Sequence, residues 1–577
     1  VSTSAGAGSG ATVGARTRIR PGTWLAAAAV ATFLLVFLVL PVARVFYAAF
    51  VEADGSLTVG HFAAFFGQGL MREAFFNSLF VALMSALFAA LIAVPLAYFT
   101  VRFRFRGAII IQTLGVLPLI MPPFVGAVAL QLIFGRSGTV NLLLNDAFGF
   151  TLPIMEGLTG LIFVEAIHYF PFILMNLTVA LRNIDGAMEE AALNLGCRGW
   201  RLFWPLALPG FVAGASLVFV KVFDDLGTPL VMGQTNLLAP QAYLRITQVG
   251  LEDPLGYVIS VILIAFSIAA MALSARALRG RDFASVVKGG TSLQQRKLSP
   301  LGALAAWGWI VLVLLVTLSP HLGVLLLSFA QVWSFSPLPD AYTLQHYATV
   351  FGDSSGMIRN TLVYCGLAAA LDVVIGVTVA YLMLRTTLPA RQWLDWGATA
   401  SLAVPGIVLA IGYLRLFKGM TVPGTDVLLT STWVLIMIAY AVRRLPYALR
   451  SCVAALQQLH VSLEEAAESL GADKARTIRR VVVPLMTGGI LAGFVTSFIT
   501  AAVELSATLL LVSADSQAPM SYGIYLYMQS VAGRGPGAAL GVLAIAVVAL
   551  GTWWSHHIVA RADGRVRSSA MAKEQTP

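Results

Sequence analysis

The residues best equipped for chemistry here are the few ionisable ones inside long apolar runs. Glu165 and His168 sit three apart in the run 156–181, a spacing that puts both on one helix face. Asp225 stands at the outer end of the run 206–224 and Glu504 well into the run 485–511. Asp372 interrupts LAAALDVVIG in the run 359–384. An ionisable side chain in hydrocarbon is costly and faces either a partner or a polar path. Asp225, Glu504, Glu165 and His168 are therefore the candidate lining of a translocation pathway. Helix–helix hydrogen bonds or ion pairs are the competing reading for each, and for Asp372. No catalytic residue is assigned. Cys197, Cys365 and Cys452 are scattered and odd in number, which suggests neither a disulfide framework nor a metal site.

A second kind of chemistry is suggested by a stretch that occurs twice. EEAALNLGCRGWRLFWPLALP (189–209) and EEAAESLGADKARTIRRVVVP (464–484) share Glu-Ala-Ala, three residues, Gly, nine residues, apolar-x-apolar-Pro. Glu-Glu-Ala-Ala-x-x-Leu favours helix, and glutamates in a first turn complement the helix dipole. Gly196 and Gly471 then stand where a left-handed turn ends the helix. A short basic segment leads to Pro209 or Pro484, which are expected to mark the start of the next membrane helix. A charged loop alone is usually a solvated connector. Two copies at matched spacing point instead to a docking element.

The elements that position these residues are membrane spans. The chain of 577 residues is 58% hydrophobic and 11% charged, with mean hydropathy +0.84. A soluble domain carries about a quarter charged residues. Twelve spans are read, at 24–48, 76–100, 108–134, 156–181, 206–224, 255–278, 301–330, 359–384, 393–417, 431–450, 485–511 and 536–560. Each is long enough to cross about 30 Å of hydrocarbon. Twelve spans place both termini on one side. The positive-inside rule marks that side as cytoplasmic through Arg16, Arg18, Arg20; Arg102, Arg104, Arg106; Arg198, Arg201; Arg276, Arg279, Arg281; Arg443, Arg444; Arg476, Arg479, Arg480; and Arg561, Arg565, Arg567. The net charge of +10 then reflects topology and implies no nucleic-acid partner. Residues 1–23 read as a disordered cytoplasmic tail. The run 24–48 is too long for a signal-peptide core and reads as a lasting anchor.

An internal repeat organises these spans. LTVGHFAAFF (57–66) recurs as YTLQHYATVF (342–351), and from Asn77 to Phe134 the match holds at constant offset to Asn360 and Phe417. The offset then shifts once in an outer loop, where an insertion is cheap. The two halves run parallel, related by an axis along the membrane normal, which predicts a pathway between them. The expected units are a first half 24–278 (core 72–278), a cytoplasmic linker 279–300, a second half 301–560 (core 355–560) and a cytoplasmic tail 561–577. Pro122-Pro123 and Pro405 are expected to break their spans locally.

With these residues in view, the chain resembles the type I permease subunits of binding-protein-dependent ABC importers. The family's loop signature is Glu-Ala-Ala, three residues, Gly, nine residues, Ile-x-Leu-Pro, and this chain departs from it only at Leu206, Val481 and Val483. The resemblance implies an all-α fold of two six-helix repeats in a bacterial inner membrane. It implies that Glu190, Ala191, Ala192, Gly196, Glu465, Ala466, Ala467 and Gly471 contact ATPase subunits. Two copies of a cytoplasmic ATPase and an extracytoplasmic substrate-binding protein are the implied partners. No G-x-x-x-x-G-K-[ST] phosphate loop occurs in the sequence, so ATP and magnesium are expected on the ATPase and no cofactor on this chain. The fused two-half length, with Asp224-Asp225-Leu226-Gly227-Thr228-Pro229 and Leu238-Ala239-Pro240-Gln241-Ala242-Tyr243, resembles ferric-iron and 2-aminoethylphosphonate permeases. Polyamine and thiamine are alternative substrates, and an ion-gradient-driven secondary transporter is the alternative mechanism.

Overall fold

In the computed structural model, residues 21–52, 54–104, 107–184, 186–197, 200–278, 295, 297–389, 391–551 and 553 are described. The expectations for residues 1–20, for most of the linker 279–300, for the tail 561–577 and for Arg106, Arg198, Arg279 and Arg281 lie outside them. Among the described residues the fold is all-α apart from one short antiparallel pairing, Ala330–Val332 with Ala341–Tyr342, and two isolated β-bridges, Val51 with Leu57 and Thr421 with Leu428.

The first half contains α1 (Pro21–Phe50), α2 (Gly69–Arg102), α3 (Ala108–Ile120), α4 (Pro123–Phe134), α5 (Gly157–Arg182), α6 (Gly186–Asn194), α7 (Trp200–Phe223), α8 (Gly227–Val231) and α9 (Pro254–Leu278). The second contains α10 (Pro300–Phe329), α11 (Ser355–Arg385), α12 (Arg391–Ala403), α13 (Gly406–Leu416), α14 (Trp433–Gln458), α15 (Ser462–Ser469), α16 (Lys474–Leu485), α17 (Thr487–Ala502), α18 (Thr508–Leu511) and α19 (Arg534–Gly551). Among the described residues nine helices are long and apolar enough to cross a membrane, or eleven if each bent pair is one span. Of the twelve expected spans, α14 stands outside that set, and it carries Arg443, Arg444 and Arg450.

Each half is built on three mutually packed helices, α2, α5 and α7 in the first and α11, α14 and α17 in the second. Between helices in lipid, close packing supplies what water cannot, and small residues permit it. Gly210 and Gly214 do this on α7: a Cβ at Gly214 would stand 2.6 Å from Ile173 Cα of α5. On α17 a Cβ at Gly493 would stand 3.1 Å from Ala448 Cα of α14, and one at Gly489, one turn before it, 3.0 Å from the Ser451 carbonyl oxygen. Both halves thus carry a G-x-x-x-G at the same seam, a signal readable as GFVAG and GILAG.

The halves are locked by exchange of their first helices. α1 packs on α13 of the second half, with Tyr413 Oη donating to the Phe37 carbonyl at 2.7 Å. α10 packs reciprocally on α4 of the first half, where a Cβ at Gly323 would lie 3.0 Å from Ala129 Cβ.

Three of the expected spans are broken, two of them at the prolines where a break is expected. The run 108–134 divides at Met121-Pro122, and 393–417 turns by 107° at Val404-Pro405. The run 485–511 ends as helix at Ala502, after a 70° bend between α16 and α17. Proline supplies each of the first two breaks, because it lacks the N–H and clashes with the preceding turn.

Candidate functional site

The broken ends converge between the halves. The start of α4, the end of α7, the middles of α5 and α14 and the segment after α17 surround a cavity of about 260 Å³. Irregular backbone at membrane depth is tolerated where it lines such a space.

At its centre is an ion-pair network that joins the halves. Arg443 donates to Glu504 of its own half and, at 3.2 Å, to Asp224 Oδ2 of the first half. Arg444 pairs with the other oxygen of Glu504. The guanidinium of Arg443 fits because Gly406, at the start of α13, has no side chain: a Cβ there would overlap Arg443 and stand 2.8 Å from Glu504 Oε1. The Glu504 backbone is pinned by Thr508 Oγ1 and Ser521 Oγ, which donate to its carbonyl at 2.7 and 2.8 Å. Tyr440 and Thr508 share a hydroxyl hydrogen bond of 2.7 Å.

The candidate residues fare differently. Glu504 and His168 line the cavity, His168 with its ring against Tyr169. Glu504 is not within a helix, as its run suggested, but in the break after Ala502. Asp225 also lines the cavity, yet it is Asp224 that meets Arg443. In the sequence Asp224 precedes Thr228 by the same four residues as Glu504 precedes Thr508, though of the two only Thr508 bonds the carbonyl four residues before it. Glu165 stands behind the cavity wall, in a small side cavity shared with Asp225. Asp372 accepts from Ser497 Oγ at 2.5 Å, a tie between α11 and α17 rather than a pathway group. Arg443 and Arg444 correct the topological reading, since they are buried at the cavity and mark no cytoplasmic face. With Asp224, Lys221 and Tyr447 they are among the cavity residues the sequence reading missed. The signal was available, for two arginines within an apolar span are a functional hypothesis by default. Among the described residues no group of three or more His, Cys, Asp or Glu is placed to hold a metal ion.

The duplicated loops form two matching short helices, α6 and α15. Each ends in a hydrogen-bonded cap: Cys197 N donates to Ala192 O at 2.9 Å and Ala472 N to Ala467 O at 3.0 Å. The residue between must be left-handed, and Gly196 and Gly471 have φ of +80° and +85°. Glu190, Ala191, Glu465 and Ala466 are exposed, and Ala192 and Ala467 half-buried. The preceding glutamates turn inward. Glu189 pairs with Arg102 at the end of α2 and Glu464 with Arg385 at the end of α11. These anchors, made alike in both halves, leave Leu195 and Leu470 projecting, 87% and 89% exposed. The expected role of the prolines is corrected: Pro209 lies inside α7, together with Pro205. Neighbouring helices in a membrane re-satisfy the backbone groups that an interior proline frees. Pro484 lies in the last turn of α16, just before the 70° bend.

Comparison with known proteins matches the same two units. The family described as "Binding-protein-dependent transport system inner membrane component" matches residues 85–281 and again 372–564. The chain is 28% identical over 501 residues to the ferric transport system permease protein FbpB of Actinobacillus pleuropneumoniae, covering 84% of this chain and 71% of that protein. It is 27% identical over 508 residues to the putative ferric transport system permease protein FbpB 1 of Haemophilus influenzae, covering 85% and 77%. The molybdenum transport system permease protein ModB of Escherichia coli is 30% identical over 190 residues, covering 31% of this chain and 82% of ModB.

Proposed function

The chain belongs to the binding-protein-dependent transport inner-membrane family, as a type I ABC permease with the family unit present twice in one polypeptide, and from that premise we propose how it works and what it carries. It is a multi-pass membrane subunit of an importer, a transport component rather than an enzyme. The observation that carries the mechanism is the pair of matched, glycine-capped helices α6 and α15, each tied by its first glutamate to a core helix of its own half. A push on α6 moves α2, and a push on α15 moves α11. Two ATPase subunits seated on Leu195 and Leu470 and the exposed faces around Glu190 and Glu465 close together, and the halves rock about the central cavity. A binding protein delivers the solute from outside, both termini lie in the cytoplasm, and no cofactor is held by this chain.

Ferric iron is the favoured solute and 2-aminoethylphosphonate the second. Two relatives named as ferric permeases extend over most of the chain, whereas the molybdenum relative matches a third of it. The cavity offers the carboxylates Asp224, Asp225 and Glu504 without a tight ligand cluster, which suits a cargo passed on rather than kept. The test is ATP-dependent uptake into proteoliposomes with the ATPase and binding protein supplied, offering iron and the phosphonate in parallel. Gly196→Asp plus Gly471→Asp abolishes uptake while the protein stays folded. Uptake that continues without the ATPase, or ignores both glycines, refutes the reading.

A further inference from the structure

With Asp372, Glu165 is one of two fully enclosed carboxylates among the described residues. Its relative exposure is 0%, and neither of its carboxyl oxygens receives a hydrogen bond from any donor. Asp225 Oδ2 and the Thr228 hydroxyl beside it are equally without partners. The Glu165 and Asp225 carboxyls line the same side cavity of about 10 Å³. A space of that size holds about one water and no larger ligand. The rest of its wall is apolar except for Ser78, whose hydroxyl accepts from Leu238 N at 2.8 Å.

Two buried carboxylates sharing one small enclosed site strongly disfavour being ionised together without a cation between them. Arg443 takes Asp224 and Glu504 and Arg444 takes Glu504, and the remaining cation, Lys221, lines the central cavity and not the side cavity. The other titratable or charged groups around the central cavity, which Asp225 also lines, are Lys221 and Asp224 on α7, His168 and Tyr169 on α5, and Tyr447 on α14. His321 of α10 approaches from behind His168. Around the two cavities, the four carboxyls Glu165, Asp224, Asp225 and Glu504 stand against the three cations Lys221, Arg443 and Arg444. One bound proton leaves three negative against three positive charges.

We propose that Glu165 and Asp225 form a proton-binding site, holding one proton between their carboxyl groups in the wall of the central cavity. Bound to one carboxyl and donated to the other, the proton joins two of the three orphaned oxygens. It also makes Asp225, which faces the cavity, a group whose charge changes when that proton leaves. A passing cation that takes the proton's place meets a carboxylate pair, so release of the proton is linked to occupancy of the cavity. The second half cannot do this, because its counterpart of Glu165 is Tyr440, already hydrogen-bonded to Thr508.

The site goes beyond the transport reading and its test needs neither ATPase nor solute. Infrared spectra of the full chain in lipid nanodiscs, titrated with pH, should show a protonated-carboxyl stretch at neutral pH that disappears reversibly as pH rises. Glu165→Gln and Asp225→Asn each place an amide donor against the remaining carboxylate, so each variant alone loses the same spectral component. Asp372→Asn leaves that component in place. Glu165→Asp, which keeps both carboxyls, retains it and shows that loss is not a failure to fold. A wild type without the component, or a component that survives either amide substitution, overturns the proposal.

Discussion

Arg443 is the place to test whether the halves are held together by charge. At 3.2 Å from Asp224, a unit pair attracts by about 5 kcal/mol in an effective dielectric of about 20, before desolvation is counted. Both side chains are nearly out of contact with solvent, at 10% and 13% exposure. Much of that attraction therefore offsets the cost of burying them, and the larger effect is what remains when one partner is removed. Arg443→Met leaves Asp224 as an uncompensated buried charge and is expected to destabilise the protein by about 3–5 kcal/mol. Asp224→Asn costs less, because Arg443 keeps Glu504. The double variant should lose less than the sum of the two singles by about 1.5–3 kcal/mol, the coupling typical of close buried charges. The assay is equilibrium unfolding of the four proteins in detergent, with Asp372→Asn combined with Arg443→Met as the uncoupled control. Additivity of the Asp224 and Arg443 changes to within about 0.5 kcal/mol refutes the cross-half contact.

Other outcomes follow from the same geometry. Gly406→Ala forces a methyl into the Arg443 guanidinium and against Glu504 Oε1 and should cost about 1–3 kcal/mol; the penalty should shrink in an Arg443→Met background, where only the Glu504 contact remains, and an undiminished penalty there would place the strain elsewhere. Gly471→Ala meets no neighbouring atom but must hold φ near +85°, a cost of about 1–2 kcal/mol, so ATPase affinity measured by biolayer interferometry should fall about tenfold; unchanged affinity would dissociate the cap from docking. At the outer rim Lys418 and Arg415 of the second half bond Glu252 of the first, and these hydrogen bonds hold its carboxyl down to about 2 from the ordinary 4.5. A depressed carboxyl stabilises above its unfolded value and loses that contribution as pH falls from 4.5 through about 2. The difference in melting temperature between wild type and Glu252→Gln should therefore shrink across that window and with added salt; a difference constant in pH removes the bridge from the account.

What the sequence determined by itself is what repeats and what is local. Apolar runs with few charges allow little but membrane helices, because backbone polar groups in lipid must bond within their own segment. The duplicated Glu-Ala-Ala–Gly stretches specified two capped helices, because the left-handed glycine and the helix before it are set by residues a few positions apart. Prolines at 122, 123 and 405 marked two real breaks for the same reason. The tertiary structure decided what lies across the molecule. Asp224 and Arg443 are 219 residues apart, and no local period distinguishes Asp224 from Asp225 or assigns a buried arginine to a carboxylate in the other half. Charge counting along the chain even placed Arg443 and Arg444 at the cytoplasmic face, because the positive-inside rule assumes that a cation is free to seek water. These two are held at depth by Glu504, and that bond exists only once the break after α17 and the turn at Gly406 have been brought together.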